Sequence, residues 1–469
     1  MANTTAQPRA AANGAAIQGR IAARIDRLPL CRVHWELAIL VEAAWGFIIV
    51  DTDGIAARLY PFVWRPHHII TNDQYAVIQA LQVGLGVLLG AFLMSWVAGR
   101  FGRRPAIILS AVLGGAFLWP FVFVTNFWGL VVLSALSTLG VGGIVATHAV
   151  YLAEMIDPEQ RNKLLLASQA TTAIVFVAVS LLAFWLIPAQ WQLFVWISAA
   201  IEIVVLVPLL AWRLPESPRW LEAHGHAAAA ERVMAALESR AEAATGRPLP
   251  ASDPSRNPVI QAGPGAWREI FTSPEYRTRT LLILACWMLS YPGMIYGVGA
   301  YMPVFMVDHG ASPHFVFGLF VLASAATFVA FLLNAWLGER VERRDVLLAM
   351  GVLFAACWVW IWIWPTANVL AAGFILWRIG TVLWLFNLYN YTAVSFPTRL
   401  RSVAFAWTDG LGHLGAWAGV TLIGPLYAWG PDHFGWIVWI VLPGALLPAL
   451  LIRAMGIRQA RAVLEQVST

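Results

Sequence analysis

Two stretches offset by 240 residues carry one pattern: Ser95 to Arg104 reads SWVAGRFGRR, and Ala335 to Arg344 reads AWLGERVERR. Each sits between long apolar runs. The register extends further, because Tyr151-Leu152-Ala153-Glu154 with Arg161 recurs as Tyr391-Thr392-Ala393-Val394 with Arg401 at the same offset. A fixed long period marks a duplicated structural unit. The chain is 60% hydrophobic and 12% charged, with mean hydropathy +0.70. So little charge cannot cover so much apolar surface in water. The repeated unit is therefore expected to be a bundle of membrane helices.

About 20 apolar residues cross a ~30 Å hydrocarbon core. Twelve such runs can be laid out, over 33–54, 76–99, 105–126, 127–153, 164–187, 191–213, 278–306, 313–338, 345–364, 367–395, 402–429 and 433–455. Asn126 and the Gly430-Pro431 turn supply breaks between adjoining runs. The expected fold class is an all-α membrane protein of twelve transmembrane helices in two pseudo-symmetric six-helix bundles. Residues 1–32 form an N-terminal tail, 33–214 the first bundle, 215–277 a linker, 278–456 the second bundle and 457–469 a C-terminal tail. Within the linker, His226 to Ala244 has helical spacing and reads as a surface helix.

Orientation follows from the basic residues. Of 30 Lys and Arg, placing the N-terminus inside leaves only Arg58 and Arg65 outside, with Arg378 inside a helix and the rest cytoplasmic, as the positive-inside rule requires. Both termini are expected in the cytoplasm, and the net charge of +5 expresses this asymmetry, not an affinity for nucleic acid. No secretory leader is legible in residues 1–32. Cys31, Cys286 and Cys357 are too few and too scattered for a disulfide framework or a metal site. His67-His68, in the expected outer loop 55–75, reads as a solvated pair. Trp358, Trp360, Trp362 and Trp364 read as lipid and interface anchors. No Walker loop, HExxH or Gly-x-Ser-x-Gly stands in a suitable context. No enzyme activity, cofactor or metal is implied, and any transport must draw on gradients instead of ATP.

Gly99-Arg100-Phe101-Gly102-Arg103-Arg104 resembles the loop motif G-x-x-x-D-R-x-G-R-[RK] of the major facilitator superfamily, and the resemblance runs over nearly the whole chain. Pro215-Glu216-Ser217-Pro218-Arg219-Trp220-Leu221 resembles the P-E-S-P-R-[WF]-L signature of its sugar-porter and organic-ion branches. Gly140 to Gly143 with Glu154, Pro158 and Arg161 resembles their fourth-helix signature. Arg24-Ile25-Asp26-Arg27-Leu28-Pro29 with His34-Trp35 is similar to the lead-in of bacterial metabolite:proton symporters, niacin- and aromatic-acid-transporter-like members included. The resemblance implies alternating access, with the first, fourth, seventh and tenth helices lining the path. It also assigns a gating role to Gly99, Arg100, Gly102, Arg103, Arg104, Glu154, Arg161, Glu216 and Arg219, and in the second half to Glu339, Arg340, Glu342, Arg343, Arg344 and Arg401. The first copy has Gly99 where the family has Asp, while the second offers Glu339 and Glu342. The acidic part of the latch is therefore expected mainly in the C-terminal half.

An ionisable group within the bilayer costs several kcal/mol unless paired or wet, so each is a functional candidate. Arg378, near the middle of the tenth span, suits a carboxylate or a structural ion pair. Asp409 and His413 are four apart and share a face; they are proton-coupling candidates with Asp51 and Glu42, the alternative being helix-packing hydrogen bonds. Glu202 reads as a packing residue. His148, Gln169, Tyr291, Tyr296, Trp384 and Asn387 are candidates for the ligand wall, with Thr147, Thr171, Thr172 and Tyr301. An aromatic wall with few polar groups suits a small flat molecule, and the seventh span lacks the Gln and Asn that a sugar's hydroxyls need. The expected function is movement of a small organic anion, an aromatic or other carboxylate metabolite, with protons across the inner membrane. The expected partners are substrate, protons and the lipid bilayer, and the expected state is a monomer. A sugar or polyol porter and an exporter of the same fold are the rival readings.

Overall fold

The computed structural model describes residues 21–53, 55–253, 266–338, 340–396, 398–428 and 437–458. The side chains of Asp51, Asp53, Arg161 and Arg401, and all of Glu339, lie outside the described residues. Among the described residues there is no strand. The long helices are α1 (Arg32–Asp53), α2 (Asn72–Arg100), α3 (Arg103–Phe123), α4 (Phe127–Met155), α5 (Pro158–Leu186) and α6 (Trp191–Arg213), then α7 (Pro274–Asp308), α8 (Pro313–Gly338), α9 (Arg343–Ile363), α10 (Ala367–Val394), α11 (Thr398–Ala428) and α12 (Val438–Met455). Ten of these contain a described stretch long and apolar enough to cross a membrane. The other two, α1 and α11, carry Glu42, Asp51, Asp409 and His413 among their apolar residues.

Local sequence sets the helix ends. Thr71 and Gln74 form a capping box at the start of α2, Asn126 accepts from Gly129 N at 2.8 Å to open α4, and Thr366 caps α10. These side chains satisfy amide groups that a helix start leaves without partners. Close packing depends on missing side chains in α4. A Cβ at Gly140 would stand 2.4 Å from the Ser110 carbonyl of α3, and one at Gly142 would stand 2.0 Å from the Val87 carbonyl of α2. Small residues at such crossings let helix backbones approach where lipid gives no hydrophobic driving force. The outer surface is apolar instead: Trp128, Trp185, Trp212, Phe123 and Trp439 are each about 70% exposed or more. Aromatic side chains on that scale belong against lipid. Trp360, Trp362 and Trp364 are exposed likewise, while Trp358 is buried.

The segment after α1 departs from the expected outer loop. Ile55–Leu59 is helical and Tyr60–Trp64 forms a π-helical turn, and every residue from Ile55 to Trp64 is buried. Rules based on bilayer thickness end the span near Asp53. The extension persists because it packs against protein, Phe62 lying 4.9 Å from Phe317 of α8 and Arg58 over Phe320.

At the end carrying the duplicated loops, the N-terminal copy has not lost its acidic partners. Arg103 pairs with Glu154 at 2.7 Å, and Glu216 accepts from the amides of Arg103, Arg104 and Ser217. Gly102 has φ +115°, and a Cβ there would strike the Glu216 carboxylate, so this turn and its acid require glycine. Trp220 Nε1 bonds the Gly99 carbonyl at 3.1 Å, and Tyr151 bonds that of Pro215 at 2.9 Å. Glu154 and Glu216 thus provide acidic partners to the N-terminal copy, whose position 99 is glycine, while Glu339 of the second copy lies outside the described residues. Burial pushes the Glu216 carboxyl up from its ordinary value, against the three amides and the Arg103 charge that oppose it. In the second copy, Arg344 donates to the Gly456 carbonyl at 2.7 Å and Arg340 to that of Trp336 at 3.0 Å. Arg343 is half-buried and Glu342 precedes α9, each with partners of its own.

The linker helix, Ala227–Thr245, turns Ala230, Met234, Leu237 and Ala241 inward, one stripe at helical spacing. They meet Ile21, Ile25 and Leu28 of the lead-in segment. Ion pairs frame that contact: Arg24 with Glu231 and Glu238, Arg27 with Glu238, and Arg219 with Asp26. Burial works to raise the Glu238 carboxyl, but Arg24 and Arg27 outweigh it and hold it below its ordinary range. A lowered folded-state value means the contact contributes fully above the ordinary carboxylate range and weakens only as pH falls through the lowered value. Limited proteolysis of the lead-in should therefore be slow at neutral pH and accelerate in acid, whereas Glu238→Gln should be cut readily at neutral pH. Equal rates for the two proteins at neutral pH would contradict the contact.

Removing the Glu216 carboxylate should cost more than neutralising it. Glu216→Ala orphans three amides, each worth about 1–3 kcal/mol when buried, while Glu216→Gln keeps one acceptor. Thermal unfolding in detergent should rank wild type above Gln above Ala; indistinguishable Gln and Ala variants would refute the role.

A candidate substrate site between the two six-helix groups

A cavity of about 40 Å³ lies where α1, α5, α7, α8 and α10 converge, lined by Arg58, Phe176, Gly299, Phe320, Ala323, Ser324, Phe374, Trp377 and Arg378. Its cations are arranged reciprocally. Arg58, from the first six helices, holds its guanidinium carbon 5.3 Å from the ring centre of Phe320 of α8. Arg378, from the last six, holds its own 5.0 Å from that of Phe176 of α5. Each cation thus lies over an aromatic face from the opposite group, a contact worth up to about 2 kcal/mol away from water. Arg378 Nε also donates to Thr327 at 3.2 Å. Ser180 and Ser324 meet at 3.2 Å across the same seam.

The π-helical turn Tyr291–Ile295 in α7 positions the cavity wall. Such turns free backbone groups from the helical ladder. Here the Met294 carbonyl accepts from Trp377 Nε1 at 2.7 Å and from Thr381 at 3.2 Å, both on α10. The Trp377 ring is thereby fixed beside Arg378, with Phe374 stacked on it at 5.3 Å.

The ionisable candidates fall into two further groups. In α1, Glu42 is 1% exposed. Its Oε2 accepts from Thr172 of α5 at 3.1 Å, and its Oε1 has no hydrogen-bond partner. Gln169, one turn before Thr172, also has an Oε1 without one. Three residues after Glu42, Trp45 stacks on His148 of α4 at 5.4 Å and tilts against Phe176 at 6.5 Å. His148 and Glu42 thus approach the cavity through Trp45 and Phe176 instead of lining it. In the last six helices, Asp409 of α11 is buried and accepts a hydrogen bond from Tyr291 Oη. His413 bonds the Asp409 carbonyl at 3.0 Å and packs on the rings of Tyr291 and Tyr296 at 4.5 and 5.8 Å.

Two wall candidates do not line this cavity. Trp384 is fully buried away from the cavity lining, and Asn387 donates to Asn334 of α8 and to the Leu383 carbonyl, each at 2.7 Å. Tyr301 is buried at the end opposite the duplicated loops, edge-on to Tyr75 at 5.6 Å. Thr147 bonds its own helix, and Glu202 is buried under Gly115 of α3. Sequence reasoning missed Arg58, because it lies in the segment read as loop. The available signal was its apolar setting, Ile55-Ala56-Ala57-Arg58-Leu59. Among the described residues no three His, Cys, Asp or Glu are grouped to hold a metal.

The Tyr291–Asp409 link makes a direct prediction. Tyr291→Phe and Asp409→Asn should each lower the unfolding temperature, and the double variant should be no worse than the weaker single, since the two act as one unit. Additive losses would show that the pair is not coupled.

Residues 44–420 match the family model described as Major Facilitator Superfamily. The chain is 27% identical over 416 residues to the putative metabolite transport protein YyaJ of Bacillus subtilis, covering 86% of this chain and 88% of that one. It is 27% identical over 462 residues to a gallate transporter of Pseudomonas putida, covering 93% and 95%. It is 23% identical over 402 residues to the niacin transporter NiaP of Acinetobacter baylyi, covering 84% and 88%. Among solved structures, a D-xylose-proton symporter superposes with a TM-score of 0.68 at 16% identity over 91% of this chain and 97% of the other.

Proposed function

The chain belongs to the Major Facilitator Superfamily, a multi-pass membrane transport protein and not an enzyme, and from that premise we propose that it carries a small aromatic carboxylate, with protons, by alternating access. One observation carries the reading: two guanidiniums, one from each six-helix group, meet at a single aromatic-walled cavity. Arginine stays charged in proteins, and its fork fits a carboxylate. Phe176, Phe320, Phe374 and Trp377 offer faces to a flat ring. A carboxylate bridging Arg58 and Arg378 would draw the two groups together around the substrate. With about 40 Å³ the cavity has room for a few waters, so entry requires the seam to part, as rocking of two bundles about a central site does. The gallate and niacin transporters among the relatives are consistent with this substrate class. A sugar is disfavoured, because beyond the two arginines Ser324 is the one hydroxyl lining the cavity.

Proton coupling is assigned to the buried acids. A carboxyl that gains or loses charge inside a membrane protein changes its burial cost by several kcal/mol, which is the leverage that coupling needs. Glu42 adjoins the cavity through Trp45, and Asp409 connects through Tyr291 to the α7 turn that holds Trp377. Asp51, one turn before the α1 extension bearing Arg58, is the third candidate. The orientation with both termini in the cytoplasm, residence in the inner membrane and a monomeric state complete the proposal.

Proteoliposome uptake of 4-hydroxybenzoate, with and without an acidic exterior, tests it. Arg58→Gln and Arg378→Ala should each reduce uptake by about 10- to 150-fold, the equivalent of roughly 1.5–3 kcal/mol for a charged hydrogen bond. Neutralising the coupling acid, whether Glu42, Asp409 or Asp51, should abolish the response to the pH gradient while leaving substrate exchange intact. Unchanged uptake in both arginine variants, or uptake indifferent to the gradient in the wild type, would overturn the respective half of the reading.

A further inference from the structure

Opposite the duplicated loops, a vestibule of about 560 Å³ opens at the surface, lined by Tyr60, Arg65, His68, Asn72, Gln74 and Asp308 among others. By the orientation proposed above this is the outer face. The vestibule straddles the seam, since Arg65 follows the α1 extension and Asp308 ends α7. Arg65 Nη1 pairs with Asp308 Oδ1 at 2.6 Å, and the Arg65 side chain remains 37% exposed. Beneath them Tyr60 stacks on Tyr75 at 4.0 Å, and Tyr75 Oη donates to the Ala300 carbonyl of α7 at 2.5 Å. The wall bearing Arg65 is held in place: Arg65 N bonds the Tyr60 carbonyl at 2.8 Å, and Ile69 N bonds that of Trp64 at 2.9 Å. Tyr60 Oη in turn bonds Asn72 at the start of α2.

We propose that this vestibule is a first docking site for an aromatic carboxylate, whose carboxylate group takes Arg65 from Asp308 and so releases the outer closure. The inference rests on the transport reading above and adds a second site to it. The groups present match the ligand's two ends. Arg65 makes a charge-assisted bond in either pairing, whereas Asp308, whose side chain is 15% exposed, loses its partner in the exchange, which destabilises the closed arrangement once the ligand is bound. Tyr60 itself is buried, and the exposed rings of Pro66 and His68 on the vestibule wall offer surface to a flat ligand, while the Asn72 and Gln74 amides supply hydrogen bonds to ring substituents. Since Asp308 ends α7 and Arg65 follows the α1 extension, exchanging the partner breaks one of the bonds between the two six-helix groups, the Tyr75–Ala300 bond being another. Arrival of substrate is thereby converted into opening toward the central cavity. A neutral ligand would leave the pair intact, so the vestibule selects for charge before the central arginines do.

The test reads outside access to the central cavity. Cys31, Cys286 and Cys357 are all buried, so Ser324→Cys places a reporter thiol in the cavity lining. A membrane-impermeant maleimide is added outside reconstituted vesicles, with or without 4-hydroxybenzoate. The anion should accelerate labelling about five-fold or more, the usual size of coupling between two sites. Asp308→Asn should label quickly without anion and respond at lower 4-hydroxybenzoate concentration. Arg65→Gln should label quickly with no further response. In the Arg378→Ala background the response should persist, because the vestibule acts before the central site. A response that survives in Arg65→Gln, or disappears in Arg378→Ala, assigns the effect to the central cavity and overturns the vestibule site. The absence of any response while the Ser324→Cys parent still takes up 4-hydroxybenzoate also overturns it. Absence of uptake together with a retained, Arg65-dependent response would instead sink the transport reading alone.

Discussion

A guanidinium inside a membrane protein cannot shed its charge, so the structure around it must supply everything that water would have supplied. Two such cations stand at one seam here. Arg58 and Arg378 come from opposite six-helix groups, and each is laid over an aromatic ring from the other group. The reciprocity makes the cation sites a property of the assembled pair of bundles, since neither ring–cation contact survives if the groups part. The seam is thus held by interactions whose strength depends on exclusion of water, and these are the interactions that an entering anion would replace.

Other irregular features serve this arrangement. The α1 helix continues past the length a bilayer needs, which carries Arg58 into the cavity instead of onto the surface. The π-helical turn of α7 spends backbone regularity to present the Met294 carbonyl to Trp377 and Thr381, fixing the wall beside Arg378. That same turn begins at Tyr291, the partner of Asp409. One deformable stretch of α7 therefore touches the buried acid on one side and the cation-bearing wall on the other. This is a physical route by which the charge of the acid can alter the cavity. At the opposite extreme, the network around Glu216, Arg103 and Glu154 ties the ends of α2, α3 and α4 to the segment after α6. It makes the first bundle's loop end a stiff body that can move as one piece.

Much of this was legible in the sequence because membrane physics leaves few choices. The duplicated loops, the apolar runs and the basic-residue asymmetry led to an all-helical duplicated bundle, and Arg378 declared itself by its depth in an apolar span. Arg58 did not. Asp51, Asp53 and Gly54 mark a helix end by every local rule, and it is packing against α2, α3, α7 and α8 that keeps the chain helical and buried from Ile55 to Trp64. The pairing of Asp409 and His413 on one face followed from their spacing, but the Tyr291 partner comes from another helix, and no local spacing encodes that. Gly99 was read as a weakened latch because the motif's acid was sought in the loop itself. The acids that pair there, Glu154 and Glu216, lie 51 and 113 positions after Arg103 in sequence. Trp384 and Asn387 were of the right type on the right helix, yet face the packing side of it. A 3.6-residue period tells which residues share a face and not which face meets the path.

If Arg58 and Arg378 bind the substrate as proposed, charge on the ligand is what they recognise. Calorimetric binding to the purified protein, comparing 4-hydroxybenzoate with its neutral isostere 4-hydroxybenzamide, measures this without reference to coupling or direction of transport. The amide should bind at least about 100-fold more weakly, as expected when a buried charge is left without its partner, and Arg58→Gln or Arg378→Ala should narrow the gap. Equal affinity for the two ligands in the wild type would contradict it.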